Sequence, residues 1–259
     1  MWRPDGAGAR ARIGVLTPHL DPVPESEFNA LAPPGVSVHA ARVPLGMVGP
    51  DGKIVPRVGP EVARAFAAPP HVDAAAASLA ALAPGAIVYA FTSSSYILGA
   101  ATDAQLAQRL SDAAEGAPVV VQSAALATAL RALGVGRIAL IHPPWFTAEL
   151  DALGAEYFRA QGFEVVAHGS AKLRSDYGDI APQQIHDWAR ATVPDSAEAA
   201  VIGGGGFRAI GAIEALEAAL ERPVLSANQA AFWCALRRSG LSDTLAGYGR
   251  LFALDPPEA

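Results

Sequence analysis

Two short stretches carry the residue types that could hold a developing negative charge. In "FTSSSY", Phe91 precedes Thr92, Ser93 and Ser94, whose hydroxyls and backbone N–H groups can all donate. In "AAVIGGGGFRAIGA", four consecutive glycines follow an apolar run. Glycines at a strand-to-helix turn let successive N–H groups point at one anion, helped by the helix N-terminus. Two such turns facing each other across a cleft would suit a small carboxylate, a dicarboxylate, or the enolate formed from one. The plain alternative is that a glycine-rich or serine-rich turn merely closes a strand tightly.

A proton carrier is the second requirement. His142 ends the run "RIALIH", and His19 follows Pro18 at the end of "RIGVLT". The two runs share Arg-Ile, an apolar stretch, and a proline six residues after the arginine, which predicts both histidines at one cleft mouth. Histidine titrates near neutral pH and is the commonest general acid or base. Asp21 and the phenol of Tyr96 are further candidates, and Arg208 could pair a carboxylate. His39, His71, His168 and His186 have no convergent partners in the sequence. Glu25 and Glu27 open "ESEFNAL", where carboxylates favour a helix N-terminus. Cys234 lies inside "QAAFWCALRRSG", a helical context where it is expected to pack as a small apolar residue. Lys53 and Lys172 sit in polar loops, which speaks against a Schiff-base enzyme. Gly204-x-Gly206-x-x-Ala209 formally matches a dinucleotide fingerprint, but the next strand, "PVLSAN", ends without the acidic residue that fingerprint needs.

The elements that must position these residues alternate along the chain. Apolar runs at 12–17, 36–43, 86–91, 118–122, 137–142, 163–169, 199–203 and 223–227 read as strands. Between them lie alanine-rich stretches such as "DAQLAQRLSDAAEG", "AELDALGAEYFRAQG" and "AIEALEAALE", with apolar residues recurring at three and four. Nearly continuous apolar strands, each followed by a helix, predict an α/β protein with parallel sheets covered on both faces. The repeated Arg-Ile pattern, and the paired strand ends at "IVYAFTSSS" and "VIGGGGF", predict two similar lobes with strand C-termini facing one cleft, where such sheets bind ligands. The first lobe is set at 1–122, with 226–259 crossing back to it, and the second at 123–225. A single unbroken sheet is the alternative.

From Arg12 to Phe252 the order of motifs resembles the Asp/Glu racemase superfamily, in particular its arylmalonate decarboxylase and maleate cis–trans isomerase branches. The matching pieces are "GVLTPHLDPVPESEF", "TSSSY", "ALRALGVGRIAL", "RPVLSANQAAFW" and "GYGRLF". The resemblance implies two pseudo-symmetric flavodoxin-like lobes, a site in the interlobe cleft, and cofactor-free chemistry at the carbon next to a carboxylate. It implies substrate contacts from Phe91, Thr92, Ser93, Ser94, Gly204, Gly205, Gly206 and Asn228. Relatives place a cysteine just before one or both anion-binding turns, where this chain has Phe91 and Gly204. Asp21 stands where the isomerase branch shows an asparagine, and a carboxylate there would repel an anionic ligand unless protonated or offset. Trp145, in "HPPWF", fills the region of a tyrosine in the decarboxylase branch. Phe91 and Trp145 together predict an apolar, aromatic pocket.

Composition narrows the partners. With 259 residues, 17% of them charged, a net charge of −6 and no lysine-arginine cluster, the chain reads as a globular protein without a nucleic-acid partner. No apolar run reaches the length of a membrane span. The start, "MWRPDGAGARAR", lacks the apolar region of a signal peptide. One cysteine leaves no disulfide framework or cysteine zinc site, and a reducing cytoplasm is expected. The leading expectation is an isomerase or lyase acting on a small organic acid, with His142 or His19 moving the proton and neither metal nor cofactor. A catalytically silent carboxylate binder is the alternative from another class, and a nicotinamide enzyme rests only on the glycines. Assembly into a homo-oligomer stays open.

Overall fold

Eight strands alternate with helices in the computed structural model, which describes residues 6–46, 59–173 and 179–257. Lys53 and the first five residues lie outside that description. The first half runs β1 (Ala11–Pro18), α1 (Val23–Leu31), β2 (Val36–Val43), α2 (Pro60–Ala67), α3 (His71–Ala80), β3 (Ala86–Tyr89), α4 (Thr92–Leu98), α5 (Ala100–Ala113), β4 (Val119–Val121) and α6 (Gln122–Ala132). The second half runs β5 (Arg137–His142), α7 (Ala148–Arg159), β6 (Glu164–Ser170), α8 (Pro182–Thr192), β7 (Ala199–Ile202), α9 (Ile213–Leu220), β8 (Val224–Ser226) and α10 (Ala227–Arg238).

Each expected strand forms, and the α/β class stands. The strands make two sheets rather than one, in the orders β2-β1-β3-β4 and β6-β5-β7-β8. All pairings are parallel. The orders are identical once the second is renumbered, so β1 corresponds to β5 and β3 to β7. Strands β3 and β7 are buried along their whole length because helices cover both faces of each sheet.

Helix α10 joins the two halves. It starts at a reciprocal cap, in which Ser226 Oγ accepts from Gln229 N (3.2 Å) and Gln229 Oε1 accepts from Ser226 N (3.3 Å). Residues 227–236 are all buried, and the helix packs on α1, α6, β3 and β8. Phe232 meets Phe28 of α1 with ring centroids 5.1 Å apart.

The matched topology fixes which loops face each other. Leu16 pairs with Tyr89 in the first sheet, and Ile141 pairs with Ile202 in the second. Thr17 is thus the counterpart of His142. Ala90, Phe91, Thr92 and Ser93 are the counterparts of Gly203, Gly204, Gly205 and Gly206.

Candidate active site

The two turns do meet. One small cleft is lined by Phe91, Thr92 and Ser93 from the β3–α4 turn, by Gly204, Gly205 and Gly206 after β7, and by Trp145, Phe146, Leu45, Ala90 and Asp21. About 350 Å³ of space lies between these walls, part of it open solvent at the mouth. The turns are unequal. Thr92 is the first residue of α4, so its N–H and hydroxyl sit at a helix start. The glycine run does not open a helix as the sequence suggested: an irregular turn and a short 3₁₀ segment, Ile210–Ala212, separate it from α9. That separation also removes the helix N-terminus a dinucleotide pyrophosphate would use.

The glycines are there for clearance. Gly204 has φ +87°, and a Cβ on it would stand 2.8 Å from Pro143 Cγ. A Cβ on Gly203 would stand 2.6 Å from His142 Cδ2. A Cβ on Gly205 would press on Gln122 and the Ala90 carbonyl. The walls are aromatic: Phe91 packs on Phe66 at 4.4 Å, and Trp145 meets Phe207 edge-on at 6.0 Å.

His142 and His19 are not equivalent, contrary to the repeated pattern. His142 is fully buried, like Thr17 at the corresponding position of the first sheet, and lies against Gly203 at the start of the glycine turn instead of at the mouth. His19, two residues beyond that register, is exposed, and its Nδ1 accepts from the N–H of Leu45 (3.0 Å), so it ties down a cleft-lining loop. Around His142 an array assembles from four elements. Its Nδ1 lies 2.6 Å from Asp151 Oδ1, and its Nε2 lies 3.3 Å from the Tyr96 hydroxyl. The ring stacks on Phe146 at 5.2 Å. The other Asp151 oxygen is 2.6 Å from His168 Nδ1. His168 therefore has a partner, which corrects the sequence expectation. Burial would raise the Asp151 carboxyl, but hydrogen bonds from His142 and His168 outweigh it and hold the group below its ordinary value. Burial and the nearby Asp151 charge raise the Tyr96 phenol well above its ordinary value, with the Thr92 side chain in hydrogen-bonding reach pulling the other way.

A second buried network holds the glycine turn. Asn228, expected to touch substrate, is 1% exposed and is engaged within the protein. Its Nδ2 donates to Glu27 Oε2 (2.7 Å) and to the Gly205 carbonyl (2.8 Å), while its Oδ1 accepts from Gln122 Nε2 (2.6 Å). Glu27 does not serve its own helix start; its other oxygen accepts from Ile210 N across the lobes (3.1 Å). Burial pushes the Glu27 carboxyl up to about 7. Glu25 pairs with Arg42. Arg42 also donates to the Asp21 backbone carbonyl (2.6 Å), while the Asp21 side chain, which borders the cleft, accepts from Val23 N–H (3.0 Å).

The remaining candidates lie outside the cleft lining. Ser94 donates to the Ala63 carbonyl (2.9 Å) and contacts the Tyr89 hydroxyl (2.7 Å), so its side chain serves the core. Arg208 is exposed and borders a separate groove with Ser26 and Glu27. Cys234 is buried on α10, and burial pushes its thiol up to about 12, which keeps it protonated and unreactive. Among the described residues, no group of three His, Cys, Asp or Glu side chains could hold a metal, and no helix is long and apolar enough to cross a membrane.

Sequence reasoning missed Asp151, Gln122 and the part played by His168. A β-bulge is the reason for the last. The β5–β6 register shifts between Ile138 and Ala139, so that Leu140 pairs with His168. A one-residue shift exchanges the two faces of a strand. The bulge thus turns His168 to the face that carries His142, where both reach Asp151.

Comparison with known proteins agrees with this geometry. Residues 68–252 match the family described as arylmalonate decarboxylase. The arylmalonate decarboxylase of Bordetella bronchiseptica is 33% identical over 172 residues, 62% of this chain and 68% of that protein. The maleate isomerase of Nocardia farcinica is 26% identical over 255 residues, covering 94% of this chain and 96% of that one. The crystal structure of the maleate isomerase from Pseudomonas putida S16 with maleate shares the fold: the TM-score is 0.84 at 24% identity, over 96% of this chain and 99% of that one. The chain belongs to the arylmalonate decarboxylase family, and its relatives mark it as an enzyme of the isomerase or lyase kind.

Proposed function

We propose that this family member is a cofactor-independent isomerase or lyase that acts at the carbon next to a carboxylate in a small organic acid bearing an apolar or aromatic portion. The observation that carries the reading is the cleft itself, where a Thr-Ser turn at a helix start faces a Gly-Gly-Gly turn between aromatic walls. Donors from Thr92, Ser93, Gly205 and Gly206 would stabilise the enolate charge that forms when a proton or carbon dioxide leaves that carbon. Phe91 and Trp145 would hold the apolar portion. The proton would pass through Thr92 and Tyr96 to His142, with His19 and Asp21 as the carriers nearer the mouth. The Val23 N–H bonded to the Asp21 carboxylate offsets part of its charge toward an anionic ligand. The reaction then needs no thiol at Phe91 or Gly204, no metal and no organic cofactor, and the protein is expected in the cytoplasm.

One observation favours a second reading, a silent carboxylate binder. The corresponding positions Phe91 and Gly204, at the two strand ends, carry no ionisable atom. Proton NMR in deuterium oxide separates the two without knowledge of the product. The enzyme exchanges the α-hydrogen of at least one acid in a panel of arylacetates, malonates and unsaturated diacids. Ligand-induced stabilisation by a panel member with no exchange in any would leave the binder.

A further inference from the structure

Behind the cleft, a hydrogen-bonded array runs from Tyr96 through His142 and Asp151 to His168. Thr92 borders the cleft, Tyr96 lies one helical turn further along α4, and His142, Asp151 and His168 continue the line. Exposure rises along the array: the His142 side chain is 0% exposed, that of Asp151 10% and that of His168 31%. His168, on the edge strand β6, borders a surface groove together with Leu140, Ser170, Lys172 and Trp188.

Resting on the reading of the cleft as a place where a proton moves, we propose that Asp151 and His168 are positioning residues of a buried proton-storing array, in which Thr92 exchanges the proton with the ligand, Tyr96 passes it to His142, and His168 locks the Asp151 carboxylate from the solvent side. The tautomers follow from the bonding. The Asp151 carboxylate can only accept, so both histidines donate to it through Nδ1–H. In the neutral His142 imidazole, Nε2 is then bare and accepts from the Tyr96 O–H. The array is therefore set to take a proton. The C–H bond next to the ligand carboxylate breaks, and its electron pair stays on the ligand as the enolate. The proton goes to Thr92 Oγ1 as the Thr92 proton moves to Tyr96 and the Tyr96 proton moves to His142 Nε2. The imidazolium that results faces the Asp151 carboxylate, and return along the same line reprotonates the carbon.

Packing serves this arrangement more than it serves stability alone. Gly154 and Gly203 leave room for the His142 ring, where a Cβ would stand 2.7 Å and 2.6 Å from its carbons. The titratable groups around the array are Tyr96 from α4, Tyr157 and Asp151 from α7, Asp103 of α5 bonded to Tyr157 (2.6 Å), His168 from β6, and Lys172 at the groove rim.

Three variants of the full chain test the proposal: Asp151→Asn, His168→Leu and His168→Gln. The first reading is the ¹⁵N spectrum of the histidine rings, which needs no turnover. In the parent, His142 shows a protonated Nδ1 and a bare Nε2; in Asp151→Asn the proton moves to Nε2. Maleate, used as the probe, shifts the His142 resonances in the parent. The second reading is exchange of whichever panel acid the parent turns over. Asp151→Asn should lower kcat by about 10³-fold or more, the scale of the same change in a serine-histidine-aspartate triad, with KM within twofold. His168→Leu should lower kcat tenfold or more. His168→Gln, which keeps a donor to Asp151, should stay within threefold. A parent His142 with Nε2 protonated, or equal losses in Leu and Gln, or losses that appear in KM rather than kcat, would overturn the array. Absence of exchange in the parent would overturn the reading of the cleft, while the ring spectra would still decide the array.

Discussion

Gly154→Ala tests whether the space around His142 is reserved for it. Glycine in the interior of α7 costs roughly 1 kcal/mol relative to alanine through propensity alone. On an exposed helix the substitution would therefore stabilise. Here the added Cβ would stand 2.7 Å from His142 Cε1, 3.0 Å from its Nε2 and 3.0 Å from Tyr96 Cε2. Neither ring can give easily. His142 is fixed by Asp151 on one edge and stacked on Phe146, and Tyr96 is packed among His142, Tyr157 and Phe158. Overpacking of this kind costs about 1–3 kcal/mol. Because neither ring can give, the clash outweighs the propensity gain and leaves a net loss of up to about 2 kcal/mol, or a fall in Tm of up to roughly 8 °C for a chain of this size. The displaced ring should also lower the exchange rate more than it lowers ligand affinity. Scanning calorimetry of parent and variant at one pH reads the sign directly. A higher Tm in Gly154→Ala would mean that the His142 pocket yields, and the geometric reasoning would fail.

Three further outcomes follow from the same contacts. Thr92→Val conserves shape and removes a hydroxyl that borders the cleft, so carboxylate affinity or exchange rate should fall roughly tenfold or more; unchanged values would place the ligand elsewhere. Cys234→Ala should leave binding and turnover nearly intact, and the parent thiol should resist iodoacetamide at pH 8, because burial keeps it protonated; rapid alkylation of the native protein would contradict that. Glu27 is raised from 4.5 to about 7, so between those values the folded chain holds a proton that the unfolded chain has released. Stability should therefore fall as pH rises through that window, by about 3 kcal/mol from this group. Urea unfolding at pH 4.5 and 7.5 should show a shallower fall in Glu27→Gln than in the parent, and equal falls would assign the penalty to other carboxyls.

The class and the topology were legible because they rest on composition that repeats. Runs such as "AIVYAF" and "AAVIG" are apolar at every position, which only a strand buried on both faces requires, and the helices between them keep a three-and-four spacing. Two sheets rather than one were foreshadowed by "RIGVLTP" and "RIALIHP", which occupy corresponding central strands. The same likeness misled at its ends. Both histidines were expected at the cleft mouth because each stands close to a strand end, but aligning the two prolines pairs Thr17 with His142, as the sheet registers do, and leaves His19 two residues beyond. A pattern of residue types fixes order along the chain but carries no information about which of two neighbouring side chains points inward once the strand has ended.

The unread part of the site shares one physical cause: its partners meet through positions that local spacing does not encode. Asn228 and Glu27 lie 201 residues apart and bond across the lobes, and Gln122 joins them from the end of β4. No periodicity links them, because Gln122 and Asn228 open their helices, where the strand repeat has just stopped, and Glu27 sits mid-helix on α1, where its spacing reports only its own helix. His168 is hidden for the sharper reason that a bulge inverts its face. Alternation read straight from Glu164 through Ser170 puts His168 on the wrong side of β6, and the shift at Val165–Ala167 restores it to the side of His142. The two anion turns were readable because hydroxyls and glycines announce themselves by type alone. What holds those turns depends on side chains that are ordinary by type and special only by placement. In this protein the chemistry-bearing surface was therefore more visible in the sequence than the buried network that sustains it, and the buried network is where Asp151 and Glu27 carry their perturbed carboxyls.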